Sequence, residues 1–393
     1  MQPLFVFCAD LHLEDGAWTT RPGIYGDAYY SFRQIVDYCI EHKLPLILGG
    51  DVLEKKSNLA RPIAQLCAEM DRMERAEVPL FYIQGNHEYD RNAPWLSVHT
   101  WPKHMHLNGL FDINGARVTG LDWLPRGDIQ REFENIHPET EILITHQVWK
   151  DLMGNVGRTE CELTDVHRVQ TVLAGDFHVT KIVESVNAQG KPIKMLSPGS
   201  TCMQDMGESP EKFFFVIGRN TATSAIEWAP VNIKTRALIS YRVETQEELD
   251  DICAGKLVRE ITAATEVAVA NGLPPEIQKP LVRVKFDKHL PDAYLRVVTC
   301  VGEQAHLFCE AITEKNLRQT TAPRDGVKND LLTAVADLIG DTDSAYKLAA
   351  ALLAAEDPTR EIDILFKQYM SEEPHATPET GSAELGSPSL SSL

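Results

Sequence analysis

Seven side chains able to bind a divalent cation stand just after short apolar runs in the first half of the chain. Asp10 and His12 follow residues 4–8, Asp51 follows 44–48, Asn86 follows 79–83, His146 follows 141–144, and Asp176 and His178 follow 171–174. Buried strands read as such runs, and in open α/β sheets a site is assembled at the strand ends. Carboxylate, amide and imidazole groups converging there suit a pair of Mn²⁺, Fe or Zn ions working on a phosphate ester. Asp51 is the natural bridge between two ions, because Gly49 and Gly50 let the backbone bend sharply and bring a short carboxylate between them. The chemistry this points to is hydrolysis.

The elements that must carry these groups alternate. Residues 4–8, 44–48 and 79–83 read as strands. Between them the spacing predicts one helix near residues 30–42, with Phe32, Ile35, Val36, Cys39 and Ile40 on one face, and a second near 60–75, with Ile63, Leu66, Cys67, Met70 and Met73. Parallel strands with crossover helices follow from that order. Then the rhythm changes: Asn114-Gly115 and Ala188-Gln189-Gly190 are hairpin turns between apolar segments, and residues 213–217 add another strand. A second, partly antiparallel sheet packing on the first with helices outside gives an α/β fold, a four-layer αββα sandwich closing near residue 218.

Beyond it, Thr245-x-x-Glu248 is a capping box opening an amphipathic helix. Val282, Val284 and Phe286 alternate as a half-buried strand that residues 306–309 can join. Residues 219–325 are therefore expected to form a small α+β module. Residues 326–370 read as helices with an apolar stripe (Leu348, Leu352, Leu353, Leu365, Phe366, Tyr369), as fit for a partner as for self-packing. Residues 371–393, rich in Glu, Ser, Pro and Gly, read as a disordered acidic tail.

Composition narrows the setting. With 393 residues, 43% hydrophobic and 24% charged, the chain is an ordinary globular protein of more than one domain. No apolar stretch is long enough for a membrane span, and the start has no signal-peptide pattern, so a cytoplasmic location is expected. The eight scattered cysteines form no C-x-x-C pair and read as reduced thiols. A net charge of −19 argues against a broad polyanion-binding surface. Arg21, Arg91 and Arg126 are candidate phosphate contacts, and the segment from Trp95 to Trp101 is a candidate DNA-facing loop or an aromatic packing element.

The order D-x-H, G-G-D, G-N-H-E, T-H and G-x-x-H resembles the calcineurin-like metallophosphoesterase superfamily. Within it, Ala9-Asp10-Leu11-His12-Leu13, Asp27 and Ser197-Pro198-Gly199-Ser200 are similar to the SbcD family of DNA-break repair nucleases. The resemblance covers residues 4 to about 217. It implies a metallophosphoesterase sandwich with a capping domain and C-terminal helices that dock on an SMC-type ATPase, SbcC. The activity it implies is exo- or endonucleolytic cleavage of DNA by a homodimer with two divalent ions, Mn²⁺ first. It also implies the ligand split: Asp10, His12 and His178 on one ion, Asn86, His146 and Asp176 on the other, Asp51 between them, and His87 as the acid for the leaving oxygen. A stand-alone metallophosphoesterase acting on nucleotides or another phosphoester is the alternative.

Two departures from the family pattern matter. Asp176 stands where the family's G-H-x-H has its first histidine, so the three aspartates leave a two-ion site at about +1 where the family's keeps about +2. Glu54 stands where many relatives have a histidine three residues after the bridging aspartate.

Overall fold

The computed structural model describes residues 1–13, 23–54, 60–88, 99–106, 109–154 and 159–312. All lie within one compact unit, Met1–Thr320. The helices expected at 326–370 and the tail at 371–393 lie outside the described residues.

The order is β1 (Gln2–Cys8), α1 (Asp27–His42), β2 (Leu46–Gly49), α2 (Ala60–Arg75), β3 (Leu80–Ile83), β4 (Lys103–His104), β5 (Phe111–Ile113), β6 (Ala116–Leu121), α3 (Arg126–Asn135), β7 (Ile142–His146), α4 (Lys150–Met153), β8 (Thr171–Gly175), β9 (Lys181–Val186), β10 (Pro192–Ser197), β11 (Lys212–Arg219) and β12 (Ile226–Ile233). The first sheet runs β12-β11-β1-β2-β3-β4 and the second β5-β6-β7-β8-β10-β9. The strands carrying candidate ligands are parallel within each sheet: β1 to β3 in the first, β7 and β8 in the second. Their carboxyl ends share one edge of each sheet.

Side-chain alternation explains the layers. Along β1, Phe5 and Phe7 face Ile142, Ile144, Leu173 and Leu196 of the second sheet, while Val6 and Cys8 face Phe32, Ile35, Val36 and Cys39 of α1. Leu66, Met70 and Met73 of α2 join that outer layer, and Ile129 and Phe133 of α3 cover the second sheet. These are the four expected layers. Trp101 packs against the α1–α2 layer and donates its Nε1–H to Val78 O at 2.8 Å, which makes it a packing residue; residues 95–98 lie outside the described set.

The first sheet continues past the expected close at residue 218. Strand β12 pairs antiparallel with β11 from Lys212↔Ile233 to Arg219↔Ile226 and forms the sheet's edge. Its half-exposed residues and Pro230 hid it, since an edge strand tolerates proline and shows little alternation.

The module after it holds β13 (Leu238–Val243), α5 (Gln246–Asp251), α6 (Leu257–Ala270), α7 (Pro275–Gln278), β14 (Leu281–Asp287), α8 (Ala293–Val301) and β15 (His306–Ile312). Thr245 and Glu248 form the expected capping box, and the helix breaks at Gly255 before α6. The sheet β13-β14-β15 is wholly parallel, so the small module of helices and strands is a β-α-β-α-β unit. Helices α5 to α8 supply both crossovers, which parallel neighbours require. At the seam, buried Arg236 donates to Asp27 at 2.9 and 3.0 Å and to the carbonyls of Tyr25, Glu276 and Lys279. That accounts for Asp27, the first residue of α1: it ties the sandwich to the module.

Among the described residues, no helix is long and apolar enough to cross a membrane. All eight cysteines are free thiols.

Candidate metal centre

Where β1, β2 and β8 end, the backbone takes an uncommon turn. Asp10, His12, Asp51 and Asp176 have φ of 54°, 47°, 48° and 74°. Left-handed conformations are uncommon outside glycine, though Asp, Asn and His tolerate them best, and they cluster at functional sites. Hydrogen bonds from Asp10 N to Gly50 O (3.1 Å) and from His12 N to Asp51 O (2.9 Å) carry the β1–β2 pairing beyond the strands. Two glycines make room: a Cβ on Gly50 would meet His146 Nδ1 at 2.4 Å, and one on Gly85 would meet Asp51 Oδ1 at 2.0 Å.

All eight residues singled out by sequence come together. His12 Nε2 is 3.1 Å from His178 Nε2, and Asp10 Oδ1 lies 4.0 and 3.9 Å from these two nitrogens. On the other side His146 Nε2 faces Asp51 Oδ2 at 3.2 Å, Asn86 Oδ1 at 3.2 Å and Asp176 Oδ1 at 3.6 Å. Asp51 Oδ2 is also 3.8 Å from His12 Nε2 and 3.9 Å from His87 Nε2, so one carboxylate reaches both groups. Asp10-His12-His178 and Asp10-Asp51-His146 can each close on a cation. Of the candidate phosphate contacts, Arg126 is exposed at the start of α3, and Arg21 and Arg91 lie outside the described residues.

The surrounding acceptors decide what these rings present. His12 Nδ1 meets Glu54 Oε2 at 2.6 Å, His178 Nδ1 meets Glu208 Oε1 at 2.9 Å, and His146 Nδ1 meets Gly49 O at 2.8 Å. With each Nδ1–H donating outward, each Nε2 points inward, where it can carry a proton or, with that proton displaced, bind a metal ion. The two ring nitrogens, 3.1 Å apart, need a proton or a metal ion between them. Asn86 gives the same signal, its oxygen set among acceptors only. Asp10 Oδ2, fully buried, has no hydrogen-bond partner. An orphaned carboxylate oxygen, facing imidazole nitrogens and an amide oxygen among acceptors are together satisfied by divalent ions, so the residues fit that group.

Electrostatics agree. Burial favours the neutral form of His12, but Glu54, Asp51 and Asp10 outweigh it and raise its pKa to about 9. His146 is also raised, its burial overcome by Asp51, Asp10 and Asp176. Burial lifts Asp176 to about 6, with Asp10 and Asp51 adding to the rise against His146. Asp51 is lowered: burial opposes ionisation, yet His146, His12 and His87 prevail. The buried carboxylates are held together by imidazolium protons, and divalent ions could take the place of those protons.

Residues 3–181 match the family model for calcineurin-like phosphoesterases. They form a calcineurin-like phosphoesterase domain. Domains of this family are metal-dependent hydrolases that typically hold two divalent ions, and the clustered side chains here could hold such ions. No curated protein matches the chain.

Four residues complete the phosphoesterase site that motif reading did not assign. Glu54, noted only as a departure, orients His12. Glu208 orients His178. Glu88, buried, accepts from Leu53 N at 2.7 Å and Gly85 N at 2.9 Å, tying the Gly85–His87 turn to the loop after Asp51. Burial, then Asp51, raises Glu88 to about 7. Asp122 accepts from Gln84 N at 2.8 Å at the start of the same turn. Glu88 was visible as the last letter of G-N-H-E, and Glu208 had no signal at all.

Proposed function

We propose that the chain is a two-metal DNA phosphodiesterase, the nuclease subunit of an SbcCD-like repair or recombination complex. The observation that carries the reading is Asp51, whose carboxylate reaches both ligand groups with His87 beside it. Divalent ions bound there supply Lewis acidity towards a phosphoryl oxygen and make a water nucleophilic at neutral pH. The chain's own residues do the rest. His87 is a third exposed, and its Nδ1–H donates to Glu54 O at 2.6 Å, which leaves Nε2 to carry the proton for a leaving alkoxide.

DNA as substrate is supported by the appended parallel module and by the SbcD-like motifs, which a small phosphoester does not require. At a net charge of −19, most of the DNA affinity is assigned to a partner, an SMC-type ATPase, with residues 326–370 as its docking segment and the nuclease as a homodimer. The same charge is what favours the second reading, a stand-alone metallophosphoesterase acting on nucleotides or another phosphoester.

The test is a Mn²⁺-dependent assay on labelled single- and double-stranded DNA beside a small chromogenic diester, with and without the ATPase. Cleavage of DNA stimulated by ATPase and ATP is expected. Hydrolysis of the small diester with no DNA cleavage under any condition assigns the second reading. His87→Ala is expected to lose most DNA cleavage but little hydrolysis of a diester with a good leaving group, and equal losses remove His87 from the acid role.

A further inference from the structure

The loop containing Ser197-Pro198-Gly199-Ser200 has no ligand, yet it lies against one. Ser200 N donates to His178 O at 3.3 Å, Ser197 Oγ to Phe177 O at 3.1 Å and Thr180 Oγ1 to Pro198 O at 2.7 Å. Behind it stands a cation. Lys212, the first residue of β11, is only 3% exposed and donates Nζ–H to Ser200 Oγ at 2.7 Å and to Glu208 Oε2 at 2.6 Å. Ser200 Oγ in turn donates to Glu208 Oε2 at 2.9 Å. The other oxygen of Glu208 takes the Nδ1–H of His178.

A buried carboxylate is costly without a partner, and a buried ammonium equally so. Glu208 can face His178 from inside the protein because Lys212 neutralises it there. The facing imidazole is served differently: Glu54, which holds His12, is 26% exposed against 13% for Glu208, and water shares its charge. Because β11 belongs to the first sheet and His178 and Ser200 come after strands of the second, the Lys212–Glu208 pair also joins the two sheets at the site.

We propose that Lys212 is a positioning residue for the ion that His178 would bind. Acting through Glu208 and Ser200, it fixes the His178 ring with Nε2 towards His12, and without it the carboxylate turns to water and the ring loses its orientation. The proposal rests on the metal centre but not on DNA being the substrate.

The experiment is Mn²⁺ titration of the full chain by calorimetry, with no substrate present. Wild-type protein is expected to take two ions. Lys212→Met is expected to weaken one of them roughly 10- to 100-fold, the usual loss when an outer-shell partner of a ligand is removed, and to leave the other unchanged. The double variant Lys212→Met with Glu208→Gln is expected to recover most of that affinity, because the glutamine oxygen still accepts from His178 and no buried charge is left unpaired. A folded Lys212→Met protein with wild-type affinity for both ions overturns the proposal. So does a folded double variant whose affinity for one ion stays roughly 10- to 100-fold below wild type, and that measurement decides the matter if Lys212→Met alone does not fold. Wild-type protein that binds no Mn²⁺ overturns the metal centre itself.

Discussion

At the strand ends of the sandwich, Asp10, His12, Asp51, Glu88 and His146 are all nearly sealed from solvent, whereas the parallel sheet of the second module closes over Val243, Leu257, Val282, Val284 and Val297. Both regions are built from parallel strands with helical crossovers, and both offer strand ends where a site can form. The difference lies in the residues just beyond each strand. After β1, β2 and β8 come aspartates and a histidine in left-handed conformation, turned inward. After β13 comes Glu244 with the Thr245–Glu248 capping box, which spends its polar groups on starting α5. Parallel topology provides the place, and residue type at the first positions beyond the strand decides whether it holds an ion or a helix cap.

The largest effect that can break this comparison is at Asp51. Asp51→Ala removes the carboxylate shared by both groups and leaves two ions to repel each other. Hydrolysis is expected to fall by at least about a thousandfold, several kcal/mol of transition-state stabilisation, with both ions lost on elemental analysis. Near-wild-type turnover in a metal-replete Asp51→Ala protein refutes the two-ion centre.

A cavity in the other region should do the reverse. Leu257 is fully buried on α6, and Leu257→Ala is expected to cost about 2–5 kcal/mol in stability while leaving Mn²⁺ affinity and small-diester hydrolysis as they were. Denaturant unfolding beside calorimetry reads both. If metal affinity falls in step with stability, the module and the site are one cooperative structure, and the contrast between the two regions disappears.

The parts legible in the sequence divide along the same line. The seven candidate ligands and His87 could be found because each is of a type restricted by its chemistry and stands two to four residues beyond a buried apolar run. Strands β1 to β3 and helices α1 and α2 were legible by period. Glu208 and Lys212 were not, since residues 198–211 have no periodicity, an acid there looks solvated, and a lysine at the first position of a strand looks the same. Strand β12 was hidden by Pro230 and by its place at the sheet edge. The parallel direction of β14 and β15 is set by crossovers whose handedness and packing no local pattern encodes.

Proton competition separates the two regions by pH. A histidine raised from 6.5 to about 9 stabilises the fold fully below its ordinary pKa, and that contribution is lost as pH rises through about 9. For His12 the shift corresponds to roughly 3 kcal/mol, and His146 moves in the same direction. Chelator-treated protein is therefore expected to lose stability between about pH 6.5 and 9.5. Over the same range Mn²⁺ affinity is expected to climb, because ions need the neutral imidazoles and displace their protons. Calorimetry in buffers of different ionisation enthalpy counts the protons released. Affinity that is flat across this range would mean that the inward nitrogens carry no protons to displace.

The smallest expected effect is the most informative about this chain against its family. Asp176 stands where the family pattern has a histidine, its φ of 74° is one that histidine also tolerates, and its N–H donates to Asp10 Oδ1 at 3.1 Å whatever the side chain. Asp176→His is thus expected to fold, to bind two ions and to keep activity within about tenfold, a loss of no more than about 1.4 kcal/mol. The substitution removes one negative charge and replaces a hard oxygen by an imidazole, so preference is expected to move from Mn²⁺ towards Zn²⁺. Competitive titration with the two metals reads the shift. An unchanged Mn²⁺ to Zn²⁺ ratio would mean that Asp176, 3.6 Å from His146 Nε2, bears on the site only through its backbone and its charge. In that case the carboxylate serves the second ion from a distance, and Asp176→Ala would leave both ions in place.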